Sequence, residues 1–99
     1  MGSSEFVAKA NEVSAWLPGK RIKFDFGSEG TALLDGVENR ATEEDGPADT
    51  TITVAWEDLI AIKEGRLDGM TAFMQGKLKV GGDMSNAMQL QGVLSKMGS

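Results

Sequence analysis

The first part of the chain has apolar residues at the spacing of a helix that buries one face. They recur at intervals of three or four residues, and they are Phe6, Ala10, Val13 and Leu17. Ser3 or Ser4 is placed to cap this helix, and Pro18 followed by Gly19 predicts its end. Such a helix packs on a sheet or forms a mobile lid over a cavity, and the spacing alone allows both.

From Ile22 onward the apolar residues alternate with polar ones, which is the pattern of a strand with one buried face. The alternation is interrupted by turn residues, and it predicts strands over residues 22–26, 31–34, 37–42, 50–56 and 77–80. The clearest of these is the stretch 50–56, in which Ile52, Val54 and Trp56 share one face. We therefore expect a sheet of five short strands.

Three more helices are predicted in the second half of the chain. Acidic residues at their starts and glycines at their ends give the boundaries, which are Glu57–Asp58 to Gly65, Asp68 to Gly76, and Asp83 onward. Gly81 and Gly82 predict a turn before the last helix. Its apolar residues cover a wider arc than a helix with one buried face needs, and they are Met84, Ala87, Met88, Leu90, Val93, Leu94 and Met97. Such a helix must be covered on two sides, or must cover something other than protein.

Strands joined mainly by hairpins, with helices gathered towards the two ends, are typical of an α+β fold. We predict one mostly antiparallel five-stranded sheet with helices covering one face. At 99 residues the chain is expected to form a single domain over residues 1–99. Residues 1–4 and 98–99 have the composition of additions made for expression.

Composition excludes most kinds of chemistry. The chain has no Cys and no His, so it lacks the usual nucleophile and base pairs and the usual zinc ligands. A net charge of −5 argues against nucleic acid, because binding to phosphates needs a basic face. No apolar run reaches the length of a membrane span. We predict a cytoplasmic, monomeric protein that is not an enzyme and has no cofactor, metal site or catalytic residue.

Four stretches resemble the sterol carrier protein 2 (SCP-2) family in order and spacing. They are Thr50–Val54, Lys63–Gly69, Ala72–Lys79 and Asp83–Met88. The resemblance extends over roughly residues 20–95. It implies a five-stranded sheet whose helical layer encloses an apolar tunnel for fatty acyl chains, acyl-CoA or sterol-like lipids.

The predicted tunnel lining combines the apolar sheet face with the apolar residues of the last two helices. It consists of Phe24, Phe26, Ile52, Val54, Trp56, Phe73, Met74, Leu78, Met84, Met88 and Leu94. Methionine suits such a surface because it is flexible and polarisable, although it also fills ordinary cores. The methionines in question are Met70, Met74, Met84, Met88 and Met97. Lys77 and Lys79 are predicted to contact a lipid head group, or instead to protect a sheet edge from aggregation.

The function predicted from these residues is lipid binding and transfer without a covalent step. Transient contact with a membrane would accompany the exchange of lipid. An alternative is an accessory module that docks on a separate enzyme, or presents lipid substrate to it. A third reading is a structural domain with a solid core, which would take up no ligand.

Overall fold

One mixed sheet of five strands organises the molecule, and helices lie against one of its faces. The computed structural model describes residues 2–98, without the side chains of residues 91 and 95–98. The elements in chain order are α1 (Ser3–Val13), β1 (Arg21–Asp25), a 3₁₀ turn (Gly27–Glu29), β2 (Thr31–Asp35), β3 (Arg40–Thr42), β4 (Thr50–Val54), α2 (Trp56–Lys63), α3 (Gly69–Met74), β5 (Leu78–Gly82) and α4 (Met84–Gly98). The predicted α+β class is confirmed.

The strand order is β3-β2-β1-β4-β5, and only the central pairing of β1 with β4 is parallel within the described sheet. The mostly antiparallel arrangement is therefore confirmed. Since β4 runs parallel to β3 but lies beyond β1, the loop 43–49 must cross the sheet to join them. Asp45 in this loop pairs with Lys23 Nζ at 2.6 Å, and Leu33 on the same face is buried. The acidic loop therefore covers the sheet face opposite the helices.

The core lies between the other sheet face and the helices. Phe6 of α1 is fully buried, with its ring centroid 4.9 Å from that of Phe24 and 5.4 Å from that of Phe26. Ala10, one turn further along α1, is also fully buried. Of the two readings of the first helix, the structure therefore shows the one in which it packs on the sheet.

The predicted ends of α1 were wrong. The helix stops at Val13, because Ser14 takes a left-handed conformation with φ 56°. Leu17 is buried from the following loop and not from the helix. At the start, Gly2 occupies the cap position without a side-chain hydrogen bond, and the hydroxyl of Ser3 donates to Glu43 Oε1 at 2.8 Å.

Two strand boundaries also differ from the prediction. β4 ends at Val54, and Trp56 begins α2 with its ring packed edge-on against Phe26 at 5.2 Å. An apolar residue that continues an alternating pattern belongs here to the next helix. β3 begins only at Arg40, because Asp35 accepts hydrogen bonds from the N–H groups of Val37 and Glu38 and holds them in a turn.

The predicted turn at Gly81 and Gly82 is part of β5, where these residues lie opposite Thr51 and Thr50. A Cβ on Gly82 would lie 2.4 Å from the carbonyl oxygen of Asp49, and its φ is 90°. This glycine therefore permits a close approach of two backbones and not a change of direction.

The predicted helix caps in the second half are confirmed. Asp68 accepts a hydrogen bond from the N–H of Thr71 at 3.1 Å, and Asp83 accepts one from the N–H of Ser85 at 2.9 Å. Each carboxylate satisfies a donor that has no partner inside its helix.

Candidate functional site

An apolar cavity lies between the inner face of β1, β4 and β5 and the helical layer formed by α2, α3 and α4. Its volume is about 150 Å³. The lining residues are Phe24, Ile52, Ile62, Gly69, Met70, Phe73, Leu78, Val80, Met84, Ala87, Met88, Leu90 and Leu94. The sheet supplies the floor of the cavity, and α3 and α4 supply its walls.

A buried polar network fixes the start of α4 over this floor. The hydroxyl of Thr50 in β4 donates to the carbonyl oxygen of Asp83 at 2.7 Å. The hydroxyl oxygen of Thr50 in turn accepts a hydrogen bond from Asn86 Nδ2 at 3.2 Å, and Asn86 is 1% exposed. Leaving a buried polar group unpaired destabilises the folded protein. These hydrogen bonds therefore hold the start of α4 at one position on the sheet.

The mouth of the cavity carries exposed apolar side chains. Met88 is 66% exposed, Met70 54%, Met84 45% and Phe73 39%. We call these four residues the rim. Among the described lining residues no side chain is charged. The cavity can therefore exclude water from an apolar ligand, but it supplies no acid, base or nucleophile.

A second cavity of about 230 Å³ adjoins the first. The two share Ile62, Gly69 and Leu94 as lining residues. The second is more polar, because Lys63 and Asp68 also line it, with Gly65 and Leu67. The described residues thus form an apolar chamber with a polar neighbour.

The structure brings most of the predicted lining residues together around the apolar cavity. Those that line it are Phe24, Ile52, Phe73, Leu78, Met84, Met88 and Leu94. Met97 belonged to the same predicted methionine set, and its side chain lies outside the described residues. Their role in binding a lipid stays a prediction.

Four predicted lining residues lie elsewhere. Phe26 and Trp56 pack with Phe6 in an aromatic cluster under α1. Val54 is 2% exposed within the core and does not line the cavity, and Met74 is 79% exposed to solvent. All except Met74 have the predicted inward orientation, but the space above them is filled by protein.

Several lining residues were not predicted as such. Val80 shares a strand face with Leu78, while Ala87 and Leu90 belong to the wide apolar arc of the last helix, so a signal for them existed. Ile62 and Gly69 carried no comparable signal, because only the packing of α2 and α3 brings them to the cavity.

Neither lysine predicted to contact a head group reaches the cavity. Lys79 lies opposite Thr53 in the sheet, between Leu78 and Val80, so its side chain points to the other face. Lys77 is exposed and is not part of the lining. A head-group contact through these lysines is not supported by their positions.

The described residues contain no group of acidic, His or Cys side chains arranged to hold a metal ion. No helix in residues 2–98 is long and apolar enough to cross a membrane.

The open mixed sheet, the helices on one face and the apolar cavity between them define an α+β protein with an apolar cavity that opens to the surface. The sequence model of the SCP-2 sterol transfer family matches residues 8–95. The chain belongs to this family, and the resemblance seen in its sequence is confirmed.

Individual relatives agree with this assignment. Sterol carrier protein 2 of Gallus gallus is 46% identical over 68 residues, which cover 66% of this chain and 12% of that protein. Sterol carrier protein 2 of Rattus norvegicus is 40% identical over 90 residues, which cover 88% of this chain and 16% of that protein. The chain thus spans only 12% to 16% of the length of these curated relatives.

A solved structure is similar over nearly the whole chain. It is sterol carrier protein 2 from Aedes aegypti in complex with palmitate, with a TM-score of 0.77 and 22% sequence identity. The similarity covers 97% of this chain and 96% of that one. At this level of identity the comparison shows the fold alone.

Proposed function

We propose that this chain is a non-catalytic carrier that binds fatty acyl chains, acyl-CoA or sterol-like lipids in its apolar cavity. The observation that carries the proposal is a cavity whose described lining is entirely apolar and which opens through the rim. Burial of each CH₂ group of a ligand contributes about 0.8 kcal/mol. A long acyl chain therefore binds without a specific hydrogen bond, and no covalent step is involved.

The size of the cavity favours acyl chains over sterols. Its volume of about 150 Å³ is below the roughly 300–1,000 Å³ of ordinary ligand pockets. A long ligand held in this cavity alone must therefore displace the rim, whose methionines have flexible side chains. A linear chain requires less displacement than a rigid ring system. The palmitate complex of the Aedes aegypti relative supports an acyl ligand.

A substitution that fills the cavity tests this proposal. Ala87 lines the cavity from α4, and Gln89 is exposed on the same helix. Ala87→Leu adds about three methylene equivalents, which we expect to displace a similar length of ligand. At about 0.8 kcal/mol each, the loss is about 2 kcal/mol, or roughly thirtyfold in the dissociation constant.

The matched control is Gln89→Leu, which adds an apolar side chain on the exposed side and should leave affinity unchanged. Calorimetric titration with a fatty acid measures both. Equal affinity of the two variants and the unaltered chain would place the ligand elsewhere, and absence of binding to the unaltered chain would remove the carrier function.

We also propose that the rim touches a membrane while lipid is exchanged, and that the carrier acts as a monomer. Transfer of an apolar ligand through water is unfavourable, because its apolar surface becomes exposed to water. Direct contact between the rim and the bilayer avoids this exposure. Transfer of a fluorescent acyl lipid between vesicles tests the contact. A rate that rises with acceptor concentration supports it, and a constant rate indicates release into water. Location in the cytoplasm stays a prediction.

The second candidate is the accessory module that presents lipid to an enzyme. It is favoured by one observation, namely that the chain corresponds to only 12% to 16% of its curated relatives. Native mass spectrometry of the isolated chain discriminates the two. A monomer with bound lipid favours the carrier, and a lipid-free form that self-associates favours the module.

A further inference from the structure

The polar cavity beside the apolar one has the features of a head-group site. It adjoins the apolar chamber along Ile62, Gly69 and Leu94, which line both. Its volume of about 230 Å³, added to that of the apolar cavity, gives a space within the range of ordinary ligand pockets. A ligand with one apolar and one polar end would match the two parts.

Lys63 is the basic residue among those that line this second cavity. It lies in the last turn of α2 and is half-buried. The neighbouring charges of opposite sign neutralise each other, because Arg66 Nη2 lies 2.6 Å from Glu64 Oε1. Within residues 2–98, leaving aside the undescribed side chains, Lys63 forms no ion pair. Among the described side chains, no carboxylate is therefore paired with its ammonium group.

Asp68 restricts which anion this is. Asp68 also lines the second cavity, and its Oδ2 caps α3 by accepting hydrogen bonds from the N–H and hydroxyl of Thr71 at 3.1 and 3.4 Å. A doubly charged phosphate would be repelled by this carboxylate more strongly than a singly charged carboxylate would. One cation and one anion in the same cavity therefore favour a monoanionic head group.

We propose that Lys63 binds the carboxylate of a long-chain fatty acid whose acyl tail occupies the apolar cavity. This inference rests on the proposed carrier function and names the class of ligand. It assigns the head group to the loop between α2 and α3, and not to Lys77 or Lys79. The carboxylate then receives a charge-assisted hydrogen bond at the partly desolvated end of the site.

The test compares two ligands of equal length, dodecanoate and 1-dodecanol, which share an acyl tail and differ in charge. Lys63→Gln should weaken dodecanoate binding about tenfold, the effect of one charge-assisted hydrogen bond. Its affinity for 1-dodecanol should be unchanged. Lys63→Arg should retain the preference for dodecanoate, because it keeps the charge. Lys79→Gln, on the opposite face of the sheet, should leave both affinities unaltered.

A substitution at Gly69 gives a second test of the head-group site. It lines both cavities, and a Cβ at this position would meet no atom within 4 Å, so the backbone here leaves room for a Cβ. Gly69→Val should obstruct the junction of the two cavities. We expect it to reduce the preference for dodecanoate over 1-dodecanol, because the head group can no longer reach Lys63.

The outcomes separate this inference from the proposed function. If the unaltered chain binds both ligands and Lys63→Gln binds dodecanoate as tightly, the head-group site is wrong and the carrier function stands. If Lys63→Gln weakens both ligands equally, Lys63 has a structural role only, and the inference also fails. If the unaltered chain binds neither ligand, the carrier function itself is overturned.

Discussion

Gly36 is the residue at which the backbone leaves least room for a side chain. A Cβ built on it would lie 1.7 Å from the carbonyl oxygen of Leu17 and 2.9 Å from that of Lys20. Its N–H donates to the carbonyl oxygen of Lys20 at 2.8 Å, and its carbonyl accepts from the N–H of Gly19 at 3.0 Å. These bonds hold the segment after α1 against the end of β2.

We predict that Gly36→Ala destabilises the protein by about 3 kcal/mol or more, because the contacting atoms are backbone and cannot move aside as a side chain would. This is a large part of the roughly 5–15 kcal/mol that stabilises a small domain. Urea unfolding measures the change. Gly46→Ala is the control, since a Cβ at Gly46 meets no atom within 4 Å. Equal stability of the two variants would contradict the close approach.

Asp35 is a buried carboxylate whose hydrogen bonds and ion pair lower its pKa. Burial alone would raise its pKa, but the N–H groups of Glu38 and Val37 and the Arg21 guanidinium lower the pKa of Asp35 below its usual 3.8. The ionised form is thus favoured in the folded protein. A lowered pKa gives stability that is present above about pH 3.8 and is lost as pH falls through the folded-state pKa.

We therefore predict that Asp35→Asn is less stable than the unaltered chain at neutral pH, since the amide loses the ion pair with Arg21 at 3.2 Å. The difference should shrink as the pH falls from about 3.8 through the lower folded-state pKa, because Asp35 itself becomes protonated over this range. Urea unfolding over a series of pH values measures it. A difference that is constant with pH would show that the charge of Asp35 contributes nothing.

The start of α4 is joined to the sheet by hydrogen bonds to a single side chain of β4. The Thr50 hydroxyl donates a hydrogen bond to the carbonyl of Asp83, just before the helix, and accepts one from the amide of Asn86, in its first turn. Thr50→Val keeps the shape of the side chain and removes both hydrogen bonds. It leaves the buried side-chain amide of Asn86 without its partner, which costs about 1–3 kcal/mol.

We predict that Thr50→Val lowers the free energy of unfolding by this amount and also weakens fatty acid binding, because α4 forms a wall of the cavity. Thr53→Val is the control, since Thr53 is exposed on the opposite face of β4. Unfolding and binding are measured on both variants. A stable Thr50→Val variant with unchanged affinity would show that α4 is held by its apolar contacts alone.

The elements also show how far local sequence signals extend. The caps at Asp68 and Asp83 were predicted because a cap depends on residues within one turn of each other. The alternation in β1 and β4 was predicted for the same reason. Trp56 was misassigned because an alternating pattern cannot distinguish the end of a strand from the start of a helix. Gly82 was misread because the carbonyl of Asp49 that requires it is distant in sequence.

The cavity lining shows what local sequence signals cannot predict. Phe24 and Phe26 share an inward orientation, and their sequence pattern does not separate them. Phe24 borders the cavity, whereas Phe26 is covered by Phe6 and Trp56. Which helix covers which part of the sheet depends on the packing of all the helices. The apolar face was therefore predictable, but the boundary between filled and hollow core was not.

Across the whole molecule, the inner layer has one solid half and one hollow half. Under α1, aromatic rings pack within 4.9 to 6.4 Å of each other around Phe6. Under α3 and α4 lies the apolar cavity, which opens through rim residues that are 39% to 66% exposed. Segments with exposed side chains and few buried contacts open at low free energy. The hollow half is therefore the part that must move to admit a ligand.

We predict that fatty acid binding slows amide hydrogen exchange most in α3 and in residues 84–94 of α4, and less in α1, β1 and β2. A ligand at one hundred times its dissociation constant stabilises the bound state by about 2.7 kcal/mol. Openings of the rim side expel the ligand, so their opening free energy rises by this full amount of about 2.7 kcal/mol. Openings confined to the α1 side leave the ligand in place, so their frequency stays nearly the same.

Exchange measured by mass spectrometry with and without fatty acid tests this prediction, and Ala87→Leu serves as the control with weakened binding. Protection concentrated in α1 and β2 would mean that the ligand enters beneath the first helix, which would then be the mobile lid.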